Sequence, residues 1–261
     1  MRTWLVAGVL LAVGAACLGC AASSDTCSGP ADAGCTRVLF VGNSYTAAND
    51  LPTVFVQLAA DGGQRVQSGV VANGGATLAD EVADPAVSGA ITASAWRFVV
   101  LQEQSEIPSV PQLRTAEMFP AARTLAARIA ATGATPLFFM TWAHEGGLPD
   151  DGLPDYDTMQ TQIDQGYVTI ATELRVPVAP VGYAWSLVRR ADPGLDLWQG
   201  DGSHPTTAGT YLAACVFYAT IFSRSPVGLT YQAGLSTTDA QVLQAQAMAA
   251  VFLDRQHWDS P

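Results

Sequence analysis

The chain has 261 residues, 49% of them hydrophobic, and a formal net charge of −11 from 12 basic and 23 acidic side chains. That length buries one large core and reads as one domain, while so few cations leave no surface to neutralise phosphates and argue against nucleic-acid binding. The apolar content comes partly from the first twenty residues and partly from alanine-rich helical segments, which argues against a multispanning membrane protein.

At the N-terminus Arg2 precedes an apolar run from Trp4 to Ala16, too short to span a bilayer comfortably and suited to a signal segment. The run ends in Cys17-Leu18-Gly19-Cys20, which resembles the lipobox of bacterial lipoproteins, with residues 1–19 removed and Cys20 lipidated. Cys17 stands where such boxes usually carry Leu, and cleavage at a nearby site without lipidation is the alternative. An uncleaved anchor is the other alternative; in each case the remainder is expected outside the cytoplasm, and in the lipoprotein reading it meets a membrane through the lipid anchor alone. Residues 20–36 have the composition of a flexible tether, and residues 37–261 read as the folded domain. Cys27 and Cys35 are candidates for a small disulfide loop in an oxidising compartment. Cys215, inside an apolar helical segment, reads as a buried unpaired core residue, and no Cys-x-x-Cys pair suggests zinc.

The organising stretch is Val38-Leu39-Phe40-Val41, an apolar run of strand-forming residues followed by Gly42-Asn43-Ser44-Tyr45. Gly42 permits a sharp turn that leaves Ser44 at the carboxyl end of a buried strand, where open α/β sheets place their ligands. Asn49-Asp50-Leu51-Pro52 then starts a helix, with Val54, Phe55, Leu58 and Ala59 at helical spacing. A second strand, Arg65 to Ala72, leads into Asn73-Gly74-Gly75-Ala76-Thr77, either a tight turn or a place of close backbone approach. A third strand, Arg97 to Leu101, ends in the polar cluster Gln102-Glu103-Gln104-Ser105, whose groups need partners if buried.

A long helix is expected from Gln112 to Thr132, kinked at Pro120. The fourth strand runs from Thr135 to Thr141 and is followed by Trp142-Ala143-His144 and a Gly-, Pro- and Asp-containing loop to Asp157, then a helix to Leu174. Pro177 to Val181 reads as the fifth strand, with a short helix around Trp185 to Arg190. Asp201-Gly202-Ser203-His204-Pro205 precedes a helix from Thr206 through Phe222, and Thr237 to Asp254 is the last helix. Strands and helices alternating in this way imply a parallel sheet covered on both faces.

A serine hydroxyl becomes a nucleophile when a base takes its proton, and the base works best when a carboxylate orients it. Of the three histidines, His257 lies near the C-terminal end and reads as a surface or tail residue, and His144 is a candidate to line a pocket at the sheet's edge. His204 has the strongest case as the base, because Asp201 three residues earlier lies in a Gly-containing loop able to fold its carboxylate onto the imidazole. An Asx-turn or helix cap is the competing reading of Asp201. The order decides between them: serine after the first strand, glycines after the second, amides after the third and Asp-x-x-His before the last core helix.

Taken together these blocks resemble the SGNH hydrolases, the GDSL-type esterase and lipase superfamily. Gly42-Asn43-Ser44 is similar to the nucleophile block, Gly75 to the oxyanion glycine and Asp201-Gly202-Ser203-His204 to the Asp-x-x-His block, with Gln104 where the family carries asparagine. Asn43 likewise replaces the Asp that commonly precedes the nucleophile. The resemblance implies a flavodoxin-like three-layer α/β/α sandwich with a five-stranded parallel sheet and a two-step acyl transfer without cofactor or metal. Ser44, His204 and Asp201 would form the triad, and the backbone amides of Ser44 and Gly75 with the side chain of Gln104, or of Gln102 in a different register, the oxyanion hole. Asn43, Tyr45, Gln102, Trp142 and His144 are candidates to line the pocket. The implied substrate is a small-molecule or glycan ester, a carbohydrate acetate in particular, and a histidine base predicts activity rising between about pH 6 and 8.

Four other readings stand beside it. An α/β-hydrolase elbow needs a small residue two after the serine, where this chain has Thr46. A non-catalytic surface lipoprotein would use Tyr45, Trp142, Trp185 and Trp198 to stack on sugars, and a lipase or thioesterase of the same fold would keep the triad and change the substrate. Asp150, Asp151, Asp155 and Asp157 lack the regular spacing of a calcium loop and read as a solvated acidic stretch.

Overall fold

The computed structural model describes Cys27, Asp32 and residues 34–254, so the expectations for the signal segment, Cys17, Cys20 and His257 lie outside the described residues. The first strand, β1 (Cys35–Gly42), is followed by α1 (Ser44–Ala47), a 3₁₀ turn, α2 (Leu51–Asp61) and β2 (Arg65–Ala72). Two short helices come next, α3 (Leu78–Ala83) and α4 (Pro85–Thr92), then β3 (Phe98–Leu101), α5 (Pro111–Leu113), a π turn at Arg114–Met118 and α6 (Phe119–Ala131). The chain continues through β4 (Thr135–Phe139), α7 (Tyr156–Leu174), β5 (Val178–Ala179), α8 (Val181–Ala191), α9 (Thr207–Phe222) and α10 (Thr237–Met248).

The five strands form one all-parallel sheet in the order β2-β1-β3-β4-β5. This is the flavodoxin-like doubly wound order, whose chain reversal opens a crevice at the carboxyl ends of β1 and β3. Ser44 and the Gln102–Ser105 cluster follow those two strands. Both faces of the sheet are covered: α2, α8, α9 and α10 pack in one layer and α3, α6 and α7 in the other. Val38 to Val41 are therefore buried on both sides, which explains an unbroken apolar run where a one-faced strand would alternate. Phe40, Phe55, Phe139 and Phe217 meet edge to face beneath them. Residues 208–219 of α9 are all buried, so that helix is apolar all round, and Cys215 within it is a free buried thiol.

Several boundaries differ from the sequence expectation. Cys35 and Thr36 pair with Arg65 and Val66, and Asp32 meets Arg65 at 2.6 Å, so the end of the expected tether belongs to the sheet. Cys35 is disulfide-bonded to Cys27. The expected helix 112–132 is divided by the π turn, because Pro120 in the first turn of α6 has no N–H for a regular i→i−4 bond. The last helix likewise changes to a π turn at Ala249–Leu253. Pro180 limits β5 to two residues and α8 starts directly after it. Helices α3 and α4 are too short to show a period, but each is capped: Thr77 and Asp80 form a reciprocal capping box, and Asp84 caps α4 ahead of Pro85.

Candidate active site

Ser44 opens α1 immediately after β1. Its Oγ lies 2.9 Å from His204 Nε2, and His204 Nδ1 lies 2.6 Å from Asp201 Oδ2. The two carboxylate oxygens of Asp201 divide the work. Oδ2 faces the imidazole, while Oδ1 accepts the backbone N–H groups of Ser203 at 3.0 Å and His204 at 2.9 Å. The Asx-turn and the ring-orienting carboxylate are therefore the same residue, and the competing readings of Asp201 are both realised. The Ser203 N–H, the His204 ring and the His204 N–H together hold the Asp201 carboxyl down at about 2, so it stays ionised at any ordinary pH. Gly202 has φ +68°, a conformation that favours glycine, and the loop is closed by Gln199 N–H donating to the His204 carbonyl at 2.8 Å.

Asn43 caps α1 and joins three segments. Its Oδ1 accepts from Tyr45 N–H at 3.1 Å and its Nδ2 donates to the Ala76 carbonyl at 3.0 Å, which ties the serine turn to the glycine loop. Gly75 in that loop has φ +72° and no atom near a would-be Cβ, so glycine serves backbone conformation there rather than clearance. The two glutamines after β3 separate clearly. Gln102 is fully buried, its two amide hydrogens are committed to Asn43 Oδ1 and the Glu103 carbonyl, and its Oε1 accepts from Asn43 N–H and Thr46 Oγ1. It has no donor left for a substrate. Gln104 is half-buried; its Oε1 accepts from the N–H groups of Glu106 and Ile107, and its Nε2 meets Ser105 Oγ at 3.3 Å, which leaves one amide hydrogen.

No family model and no curated protein sequence matches the chain. Solved structures do. A protein of Slackia heliotrinireducens assigned as an SGNH hydrolase is 30% identical, with a TM-score of 0.62 over 72% of this chain and 99% of that one. The chain belongs to the SGNH hydrolases. A DUF4886 family protein from Bacteroides uniformis shares the fold at 19% identity and TM-score 0.72, over 84% of this chain and 95% of that one. So does Axe2, an acetylxylan esterase from Geobacillus stearothermophilus, at 18% identity and TM-score 0.55, over 71% and 94%.

In this SGNH hydrolase the remaining candidates lie around and under the serine. Tyr45 stacks on Trp142 with ring centroids 4.5 Å apart, and Trp142 stacks on Trp185 at 4.1 Å. All three are buried, so their faces meet each other and offer no platform to a sugar ring, contrary to the stacking role considered for them. The polar edges of Tyr45 and Trp142 hold the histidine loop instead: the Tyr45 hydroxyl is 2.6 Å from Ser203 Oγ, and Trp142 Nε1 donates to the Ser203 carbonyl at 2.9 Å. Burial pushes the Tyr45 phenol up to about 12. His144 is half-buried and its Nε2 meets Ser105 Oγ at 3.1 Å; burial moves it below the usual histidine range. Ser105 and Ser203 lie inside stretches the sequence marks, but their contacts with His144 and Tyr45 do not show there. Gln160 was missed: it holds Ala143 N–H at 2.7 Å and the Thr141 carbonyl at 3.2 Å, partners 17 and 19 positions away, so no local signal marks it. Among the described residues no group of three or more His, Cys, Asp or Glu side chains is placed to hold a metal ion, and no helix is long and apolar enough to cross a membrane.

Proposed function

We propose that this SGNH hydrolase is a serine esterase that cleaves carboxylic esters by two-step acyl transfer. The observation that carries the proposal is the continuous Ser44–His204–Asp201 chain, at 2.9 and 2.6 Å. His204 takes the Ser44 proton as Oγ attacks the ester carbonyl, and Asp201 fixes the tautomer with Nε2 facing the serine and steadies the imidazolium that forms. The oxyanion is held by the backbone N–H groups of Ser44 and Gly75 and the remaining amide hydrogen of Gln104. The imidazolium returns its proton to the leaving alcohol, and a water activated by the same ring releases the acyl group. None of these steps calls on a metal or cofactor.

The proposed substrate is an O-acetylated carbohydrate. The fold is that of Axe2, an acetylxylan esterase for which a serine-to-alanine and a histidine-to-alanine form are described as catalytic mutants. We place the enzyme outside the cytoplasm, anchored through Cys20, and the Cys27–Cys35 disulfide supports an oxidising compartment. Replacing Cys20 by Ser should abolish incorporation of labelled palmitate; unchanged labelling removes the anchor from the proposal. The activity is tested with p-nitrophenyl acetate, butyrate and octanoate and with acetylated xylooligosaccharides, on wild type, Ser44→Ala and His204→Ala. Both variants should lose on the order of a thousandfold or more in kcat. An active Ser44→Ala enzyme, or a wild type inert on every ester, rejects the proposal.

A further inference from the structure

Between the two glutamines stands Glu103, fully buried at the end of β3. Its Oε1 accepts two backbone N–H groups, that of Gln104 at 2.7 Å and that of Leu78 at 3.0 Å. Leu78 is the first residue of α3, three positions beyond Gly75 and directly after the capping residue Thr77. One carboxyl oxygen therefore joins the segment that carries Gly75 to the segment that carries Gln104. The Glu103 N–H in turn donates to the Tyr167 hydroxyl of α7 at 3.2 Å, which anchors the junction to the helical layer.

The rest of the carboxyl group is expensive to bury. Oε2 has no hydrogen-bond partner, and neither carboxyl oxygen of buried Glu81 in α3 has one. The charges that act on Glu103 are acidic as well, from Glu117 and Asp80, and burial pushes its carboxyl up to about 7. A partnerless buried oxygen costs stability, so packing does not explain an ionisable group here. The two N–H groups it gathers do.

We propose that Glu103 is a positioning residue of the oxyanion hole, fixing the Gly75 and Gln104 donors relative to each other through one shared acceptor atom. The proposal rests on the esterase reading above, in which those two groups hold the oxyanion. Donors aimed at the transition state act on kcat, whereas ground-state ester binding hardly uses them.

The test compares Glu103→Met, which keeps the volume and removes the acceptor, with Glu103→Gln, which keeps a carbonyl oxygen. Turnover of p-nitrophenyl acetate is expressed per active site titrated with a fluorophosphonate, so that a smaller folded fraction does not register as lost catalysis. Glu103→Met should lose about ten- to a hundredfold in kcat, less than deletion of a whole oxyanion donor, with KM changed by no more than about twofold. Glu103→Gln should recover most of that loss. Should Glu103→Met not fold, Leu78→Pro removes one of the two N–H groups at the first position of α3, where the backbone after the extended Thr77 accepts proline; it also gives up the buried leucine side chain, so the reading is again kcat per titrated site, which should fall several-fold. Wild-type turnover per site in these variants, or a Glu103→Gln enzyme as poor as Glu103→Met, overturns the positioning role while an inactive Ser44→Ala still supports the esterase reading. An active Ser44→Ala or an inert wild type overturns both.

Discussion

Asn43 and Gln102 hold each other through two reciprocal hydrogen bonds: the Asn43 backbone N–H donates to Gln102 Oε1 at 3.0 Å, and Gln102 Nε2 donates to Asn43 Oδ1 at 2.8 Å. The same Oε1 accepts from Thr46 Oγ1 at 2.8 Å. The residue directly after β3 thus fixes the turn that presents Ser44. Gln102→Leu strands the Asn43 N–H and the Thr46 hydroxyl in the interior and should cost roughly 2–4 kcal/mol, read as a lower urea midpoint. A midpoint within error of wild type would show that the pair contributes nothing to folding.

Asp201→Asn should separate orientation from folding. Its side-chain oxygen can still accept the Ser203 and His204 N–H groups, so the melting temperature should change little. The imidazole loses its anionic partner, and kcat should fall by about a hundredfold to ten-thousandfold. A loss under about threefold would mean that Asp201 is only a turn residue.

Gly182 and Gly75 are glycines for different reasons, and alanine should distinguish them. A Cβ at Gly182 would lie 1.9 Å from the Thr141 carbonyl oxygen, so Gly182→Ala must push α8 away from the end of β4 and should cost roughly 3 kcal/mol or more. At Gly75 nothing obstructs a methyl group and only φ +72° opposes it, so Gly75→Ala should cost roughly 1–2 kcal/mol. Thermal or urea unfolding of both variants checks the ranking, and equal costs would contradict it.

The buried carboxyl groups give stability a pH dependence of definite sign. Burial raises Glu81 and Glu103 from the usual carboxylate range to about 7, so the folded state binds protons that the unfolded state releases. Their contribution is complete below the unfolded value and is lost as pH rises toward 7. Burial raises Asp164 to about 7 in the same way and adds to the effect, while it lowers the His144 imidazole, which opposes it. With three carboxyl groups against one imidazole the melting temperature should fall by several degrees between pH 5 and pH 8, and Glu81→Gln should remove part of the fall. A melting temperature rising over that range in wild type would contradict the assignment.

Contiguous patterns in the chain encode part of this architecture. The apolar run Val38 to Val41, the turn at Gly42 and the Asp-x-x-His spacing are contiguous, and strand-helix alternation allows few other topologies; hence the parallel sheet and the Ser44, His204 and Asp201 grouping are legible in the chain itself. Tertiary structure alone decided which polar residues around them are free and which are spent. Gln102 and Gln104 are chemically identical and two residues apart, yet pairing with Asn43 exhausts the first and leaves the second one amide hydrogen. Tyr45, Trp142 and Trp185 look like a sugar platform in a list of aromatics, but they lie 140 positions apart at the extremes and stack on one another inside the molecule. Glu103 is one acid in a polar cluster until the fold brings Leu78 to it. A hydrogen bond between distant segments leaves no period and no spacing in the chain, because burial and partner choice are settled only when the segments meet.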